Sequence, residues 1–139
     1  MKILAIGDIV GGIAIDYLGK NLSRFVRENK IDFVIANGEN ASEIKGLSKN
    51  DAESLFNLGI DFITLGNHAF GKRDLYDYLE NNDHKIIRPA NFPPSSPGSG
   101  FIYIVPRTLI ISNLKPSTET MLYPLPGEDG GKLAGRIIL

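Results

Sequence analysis

Three short segments of the sequence combine a glycine with acid, amide or imidazole side chains directly after an apolar run. They are Gly7-Asp8, Gly38-Glu39-Asn40 and Gly66-Asn67-His68. Glycine and asparagine are common in turns, but a turn needs neither an acid at two of these segments nor a histidine at the third. Two carboxylates held close together repel each other unless a cation lies between them. These residue types therefore indicate a divalent metal site, provided that the three segments meet.

The apolar runs before the three segments have the pattern of buried strands, and helical periodicity separates them. The predicted strands with their exit loops cover 2–11, 32–40 and 61–70, and the predicted helices cover 13–30, 48–59 and 72–82. Ser48 is the predicted N-cap of the second helix and Gly59 its C-terminal stop. Alternating strands and helices predict a βαβαβ arrangement with a parallel sheet, whose strands end at one edge. Ligands bind outside that edge, so the three segments are expected near one point.

The pattern changes after the third predicted helix. A strand from Lys85 leads into a Pro/Ser/Gly loop at 93–100, and two strand-like runs then predict a hairpin around Pro106–Thr108. Beyond Leu114, prolines and glycines dilute the pattern, so 115–139 is predicted to be loop or poorly ordered, apart from a short strand at 136–139. The predicted organisation is one unit over 1–114 and a divergent Gly/Pro-rich tail.

Composition excludes several classes of protein. The 139 residues carry a formal net charge of −1, with a pI of about 6.1, which does not fit the basic footprint of a nucleic-acid-binding protein. The absence of cysteine excludes disulfides, thiolate metal sites and thiol nucleophiles. No apolar run approaches the roughly 18 residues of a membrane span, and Asp8 interrupts the N-terminal run that superficially resembles a signal peptide. We therefore expect a soluble cytoplasmic protein.

Four motifs resemble those of the YmdB-type branch of the calcineurin-like metallophosphoesterases. They are GDIVG, NGEN, GNH and RPANFP, in this order, and the resemblance runs from Met1 to about Leu114. It implies an α/β sandwich of two β-sheets flanked by helices, of which this chain would hold the N-terminal βαβαβ half with an additional β-hairpin. It also implies two divalent metal ions (Fe, Mn or Mg) and hydrolysis of phosphodiesters such as 2′,3′-cyclic nucleotides by a water activated between the ions.

The resemblance implies a role for each residue of the three segments. Asp8 would bind the first metal, with Asn40 as a further ligand there, and Glu39 would bridge both metals. Asn67 would bind the second metal through its carbonyl oxygen. His68 would lie beside the substrate, where it would stabilise phosphate charge or protonate the leaving oxygen, because histidine exchanges protons near neutral pH.

The chain departs from the family pattern in its histidines. The wider superfamily has Asp-x-His in the first motif, where this chain has Val10, and later strands of the family supply further histidine ligands. This sequence contains two histidines, His68 and His84, and His84 is predicted to lie in a solvated loop. Three explanations stay open: a truncated or frameshifted product of a longer enzyme, ligands supplied by another chain, or a relative that binds without catalysing.

Two functions follow from these observations. The first is a metal-dependent phosphoesterase, and the second is a non-catalytic phosphate- or nucleotide-binding module, or an assembly subunit, with an incomplete metal site. Arg88 and Asn91 could contact phosphate, but an arginine before a proline is also typical of a structural ion pair, which is the favoured interpretation. Half of such a fold would leave an apolar sheet face uncovered, so we also expect a homo-oligomer.

Overall fold

The computed structural model describes residues 1–43, 45–81, 85–104 and 120–122. Strands and helices alternate through most of these ranges: β1 (Ile3–Ile6), α1 (Gly11–Asn29), β2 (Phe33–Asn37), α2 (Lys49–Asn57), β3 (Phe62–Thr64), α3 (Leu75–Asn81) and β4 (Ile86–Ile87). The four strands form one parallel sheet in the order β1-β2-β3-β4. The predicted βαβαβ order and parallel sheet are confirmed.

The core forms where the helices cover the central strands. In β2, burial is nearly continuous along the strand, as expected for a strand covered on both faces of a parallel sheet. The largest fully buried side chains come from β2, β3, α2, α3 and the loops between them: Val34, Leu47, Leu55, Ile63, Leu65 and Leu75. This packing fixes the strand ends, and with them the segments that the sequence analysis singled out.

The second helix begins and ends as the sequence predicts. Ser48 is the N-cap of α2, and its hydroxyl accepts a hydrogen bond from the N–H of Asp51 at 3.1 Å. Gly59 follows the helix with φ 98°, a conformation that glycine adopts without strain. Of the helices in the described ranges, none has the length and hydropathy of a transmembrane segment.

A separate two-stranded antiparallel sheet joins β5 (Ile102–Ile104) to β6 (Thr120–Leu122). The prediction of loop or poor order between residue 115 and the predicted strand at 136–139 is therefore wrong at β6. Three residues between proline- and glycine-rich neighbours give no periodic signal, and the strand exists because β5 supplies its hydrogen-bond partner. The predicted turn at Pro106–Thr108, the strand at 136–139 and His84 lie outside the described residues, and the division at residue 114 stays a prediction.

Candidate active site

The three polar segments meet at the carboxyl edge of the parallel sheet. Their candidate residues follow β1 (Asp8), β2 (Glu39, Asn40) and β3 (Asn67, His68). Backbone hydrogen bonds join neighbouring segments: the N–H of Gly11 donates to the carbonyl of Asn40 at 3.0 Å, and the N–H of Gly38 donates to the carbonyl of Thr64 at 3.0 Å. The segments are therefore held in fixed register by main-chain contacts.

Side-chain contacts connect four of the candidate residues directly. Asn40 donates from Nδ2 to Oδ1 of Asp8 at 2.8 Å, and its Oδ1 lies 2.8 Å from Nδ1 of His68. The backbone N–H of His68 donates to Oε2 of Glu39 at 2.9 Å, and Nδ1 of the ring lies 4.0 Å from the same oxygen. The structure thus brings Asp8, Glu39, Asn40 and His68 to one point.

Glu39 is a buried carboxylate without a cationic partner from a lysine or arginine. It is 6% exposed, and no ion pair among the described residues joins it to either of these residue types. A charge removed from water is costly unless it is paired or bound to a metal ion. The position of Glu39 therefore favours a bound cation at this edge of the sheet.

Because Gly66 has no side chain, the Glu39 carboxylate can occupy the space beside it. A Cβ atom at position 66 would overlap both carboxylate oxygens of Glu39. The sequence alone predicts no role for this glycine beyond a turn, and the one sequence pattern that points to it is the recurrence of glycine at all three strand exits. A glycine at this position allows the loop after β3 to lie against a carboxylate from the loop after β2.

We expect Gly66→Ala to weaken metal binding while the protein still folds. Gly66 does not have a positive φ, so alanine fits the backbone, and the clash is with the far end of a flexible side chain. The added methyl group would displace the Glu39 carboxylate, and Mn²⁺ affinity measured by calorimetry should fall by about 10- to 100-fold. Gly7→Ala is the matched control, because a Cβ there meets nothing within 4 Å. Equal Mn²⁺ affinity in the two variants would contradict the prediction.

Asn67 is placed differently from the other candidates. It is exposed, and its side chain makes no hydrogen bond with any residue that the structure describes. It lies at the same edge because it directly precedes His68 in the loop after β3. The structure gives Asn67 a free amide at the site but no contact that links it to the other four residues.

The oxygen ligands of the candidate residues fit a hard divalent cation, but the number of these ligands is small. Carboxylate and amide oxygens suit Mg²⁺, Mn²⁺ or Fe²⁺. Within the described ranges, no group of three or more acidic or histidine side chains is arranged to hold a metal ion. A metal site at this edge would therefore depend on the amide oxygens of Asn40 and Asn67 in addition to Asp8 and Glu39.

Two close contacts hold the loops that carry the candidate residues against each other. Gly46, with φ 88°, approaches Gly71 so closely that a Cβ on Gly46 would lie 3.0 Å from the Cα of Gly71. The Nζ of Lys72 also donates to the carbonyl of Glu43 at 2.9 Å. Direct contacts thus hold the loop after β2 and the loop after β3 together.

A second network orders the loop after β2. The buried Ser42 donates its hydroxyl to Asp51, and the N–H of Ser48 donates to Oγ of Ser42 at 2.7 Å. The sequence predicts Ser48 as a helix cap but indicates no role for Ser42. Since Ser42 follows Asn40 by two residues, this network links the start of α2 to the candidate ligands.

The contacts of Arg88 differ from those that the sequence predicts. It is 6% exposed, yet no ion pair among the described residues includes it, so the favoured interpretation of a structural ion pair is wrong there. Its Nη1 donates to the carbonyl of Pro89 at 3.1 Å, and its Nε has no hydrogen-bond partner. Asn91, the other candidate phosphate contact, is exposed.

Comparison with known proteins gives consistent matches. The family model described as YmdB-like protein matches residues 4–122. Over 125 residues the chain is 36% identical to the 2′,3′-cyclic-nucleotide 2′-phosphodiesterase of Bacillus subtilis (strain 168), a match that covers 90% of this chain and 47% of that protein. The chain spans between 32% and 47% of the length of the curated relatives that it matches.

Two solved structures share the fold. One is a hypothetical protein from Thermus thermophilus, with a TM-score of 0.69 and 38% identity over 76% of this chain and 40% of that chain. The other is a phosphatase from Mycoplasma pneumoniae, with a TM-score of 0.68 and 31% identity over 76% of this chain and 38% of that chain. The described fold therefore corresponds to part of each longer chain.

Proposed function

The chain belongs to the YmdB-like family, and we propose that it is a metal-dependent phosphoesterase that acts on phosphodiesters of the cyclic-nucleotide class. The predicted fold class is confirmed: an α/β arrangement that matches part of a phosphatase structure. The observation that carries the proposal is the convergence of Asp8, Asn40, His68 and the buried Glu39 at the carboxyl edge of the sheet. The chain spans 47% of the Bacillus relative, so we also propose that these 139 residues are active by themselves.

Four side chains would hold two divalent ions, with Fe, Mn or Mg as the candidates. Asp8 and Asn40 would bind the first ion, Asn67 would bind the second, and Glu39 would bind both. When bound, such ions supply a nucleophilic water near neutral pH and neutralise phosphate charge. The contribution of the protein is to hold Glu39 in the space beside Gly66, where the carboxylate is shielded from water.

His68 would act on the substrate through its Nε2 atom. The ring is oriented by the contact between Nδ1 and the Asn40 oxygen, and the side chain is 27% exposed. Nε2 makes no hydrogen bond with the residues that the structure describes, so it is the atom available to a ligand. Nε2 would stabilise the phosphate charge or donate a proton to the leaving oxygen.

A reporter assay tests the proposal. Purified protein with added Mn²⁺ or Fe²⁺ should hydrolyse bis(p-nitrophenyl) phosphate and 2′,3′-cyclic nucleotides, and a chelator should abolish both activities. Absence of turnover together with absence of metal binding would contradict the proposal. It would favour the second candidate, a non-catalytic phosphate- or nucleotide-binding module or an assembly subunit. The lack of a complete acidic and histidine ligand group in the described ranges is the observation that supports this second candidate.

We also propose that the chain forms a homo-oligomer through an apolar stripe at the start of α1. Ile13 and Tyr17 are four residues apart on one face of α1 and are 88% and 66% exposed, and Val10, the N-cap residue just before the helix, is 61% exposed. Clustered exposed apolar side chains favour burial against a partner.

Sedimentation tests this assembly. Wild-type protein should sediment as a dimer or higher oligomer, and Ile13→Glu should shift it toward monomer because it would bury a charge in the contact. Ser23→Glu adds the same charge at an exposed position on another face of α1, and should leave the assembly unchanged. A monomeric wild-type profile at high concentration would rule out the oligomer.

A further inference from the structure

Arg88 is a buried guanidinium whose Nε has no hydrogen-bond partner. The backbone N–H of Arg88 donates to the carbonyl of Ser99 at 2.9 Å, and the side-chain Nη1 donates to the carbonyl of Pro89 at 3.1 Å. Both of these acceptors are neutral carbonyl groups. Among the described residues, no carboxylate compensates the positive charge of the Arg88 guanidinium. Native proteins rarely leave a buried charge without a partner, because its desolvation is costly.

Arg88 lies at the same edge of the sheet as the candidate active site. In the parallel pairing of β3 with β4, Thr64 is the partner of Ile87, and the N–H of Leu65 donates to the carbonyl of Ile87 at 2.9 Å. Arg88 therefore emerges from β4 at the level where β3 leads into Gly66. Adjacent strands are about 4.8 Å apart, so the backbone of Arg88 is one strand away from the loop that carries His68.

We infer that Arg88 binds a phosphate oxygen of the substrate. This inference deepens the proposed phosphoesterase function and rests on it for the identity of the substrate. Guanidinium is a planar donor that matches phosphate through paired hydrogen bonds, and it keeps its charge when buried. The phosphate would accept hydrogen bonds from the guanidinium, and its negative charge would offset the buried positive charge.

Arg88→Met tests the inference in metal-free protein with inorganic phosphate as the probe and a chelator present. Phosphate binding, measured by calorimetry, should weaken by about tenfold or more, because hydrogen bonds to a charged partner are lost. Without phosphate, the melting temperature should stay unchanged or rise, because methionine removes an uncompensated buried charge while keeping the aliphatic length. Arg73→Met is the matched control: it makes the same charge change at an exposed position before α3, and should bind phosphate as the wild type does.

A second readout needs no folded Arg88→Met protein. In wild-type protein the Nε–Hε resonance of Arg88, identified by its absence in Arg88→Lys, should shift on titration with phosphate. An unshifted resonance, or unchanged phosphate affinity in Arg88→Met together with a lower melting temperature, would overturn the inference and make Arg88 purely structural.

These measurements contain no metal ion and no turnover, so they separate the two proposals. Failure of the metal-dependent activity leaves the phosphate titration interpretable. Conversely, Arg88→Met could hydrolyse bis(p-nitrophenyl) phosphate with the rate and KM of the wild type. That result would leave the proposed function in place and show that Arg88 has no part in it.

Discussion

Glu39→Gln should abolish hydrolysis of bis(p-nitrophenyl) phosphate, with a fall of about 10³-fold or more, while the protein keeps its fold. Glutamine has the shape of glutamate and retains an oxygen that can accept the backbone N–H of His68, now 2.9 Å from Oε2. It lacks the charge needed to hold two cations. The rate should therefore fall through loss of metal affinity, which calorimetry with Mn²⁺ would show directly.

We also expect Glu39→Gln to have an unusual effect on the melting temperature. Most substitutions of a buried residue destabilise a protein, but Glu39 is a 6% exposed carboxylate without a lysine or arginine partner in the described ranges. Its neutralisation should leave the metal-free melting temperature unchanged or raise it. Glu43→Gln, an exposed acid in the same loop, is the control and should retain activity and Mn²⁺ binding. A Glu39→Gln protein that unfolds would show a structural role for the carboxylate, and one that keeps full activity would remove Glu39 from the active site.

His68→Ala should lower kcat by about 10²- to 10⁴-fold, the usual contribution of a positioned proton donor, and leave Mn²⁺ binding largely intact. The size of the loss should depend on the leaving group. p-Nitrophenolate departs without protonation, whereas the alkoxide released from a 2′,3′-cyclic nucleotide needs a proton. If Nε2 of His68 donates that proton, the loss will be larger for the cyclic nucleotide than for bis(p-nitrophenyl) phosphate.

The two substrates therefore separate the two roles open to His68. An equal loss on both would assign His68 to stabilisation of phosphate charge, and wild-type rates on both would remove it from the site. His84→Ala, which replaces the other histidine of the sequence, is the control and should behave as the wild type in both assays.

The sequence by itself determined the order of the elements and the edge at which the polar residues lie. Apolar runs and helical periodicity are local properties, and alternating strands and helices pack as a parallel sheet whose strand ends share one edge. The positions of Asp8, Glu39 and His68 at that edge followed from this rule alone. Ser48 was predictable for the same reason, because a helix cap depends on residues three positions apart.

The contacts within the candidate site were decided by tertiary structure. Asn40 contacts partners 32 and 28 residues away in sequence, and the backbone of His68 contacts a carboxylate 29 residues away. The overlap that any side chain at Gly66 would create with Glu39 depends on how two loops pack. No local pattern encodes such distances, since they depend on how the helices place the strands against each other.

The same reason explains the two errors of the sequence-based interpretation. β6 is a strand because β5 lies beside it, and its three residues carry no periodicity of their own. An arginine before a proline suggested an ion pair, but whether a carboxylate reaches Arg88 depends on which chain segments surround it after folding. Local sequence sets which elements form and where their ends lie, and packing between elements sets which polar groups gain partners there.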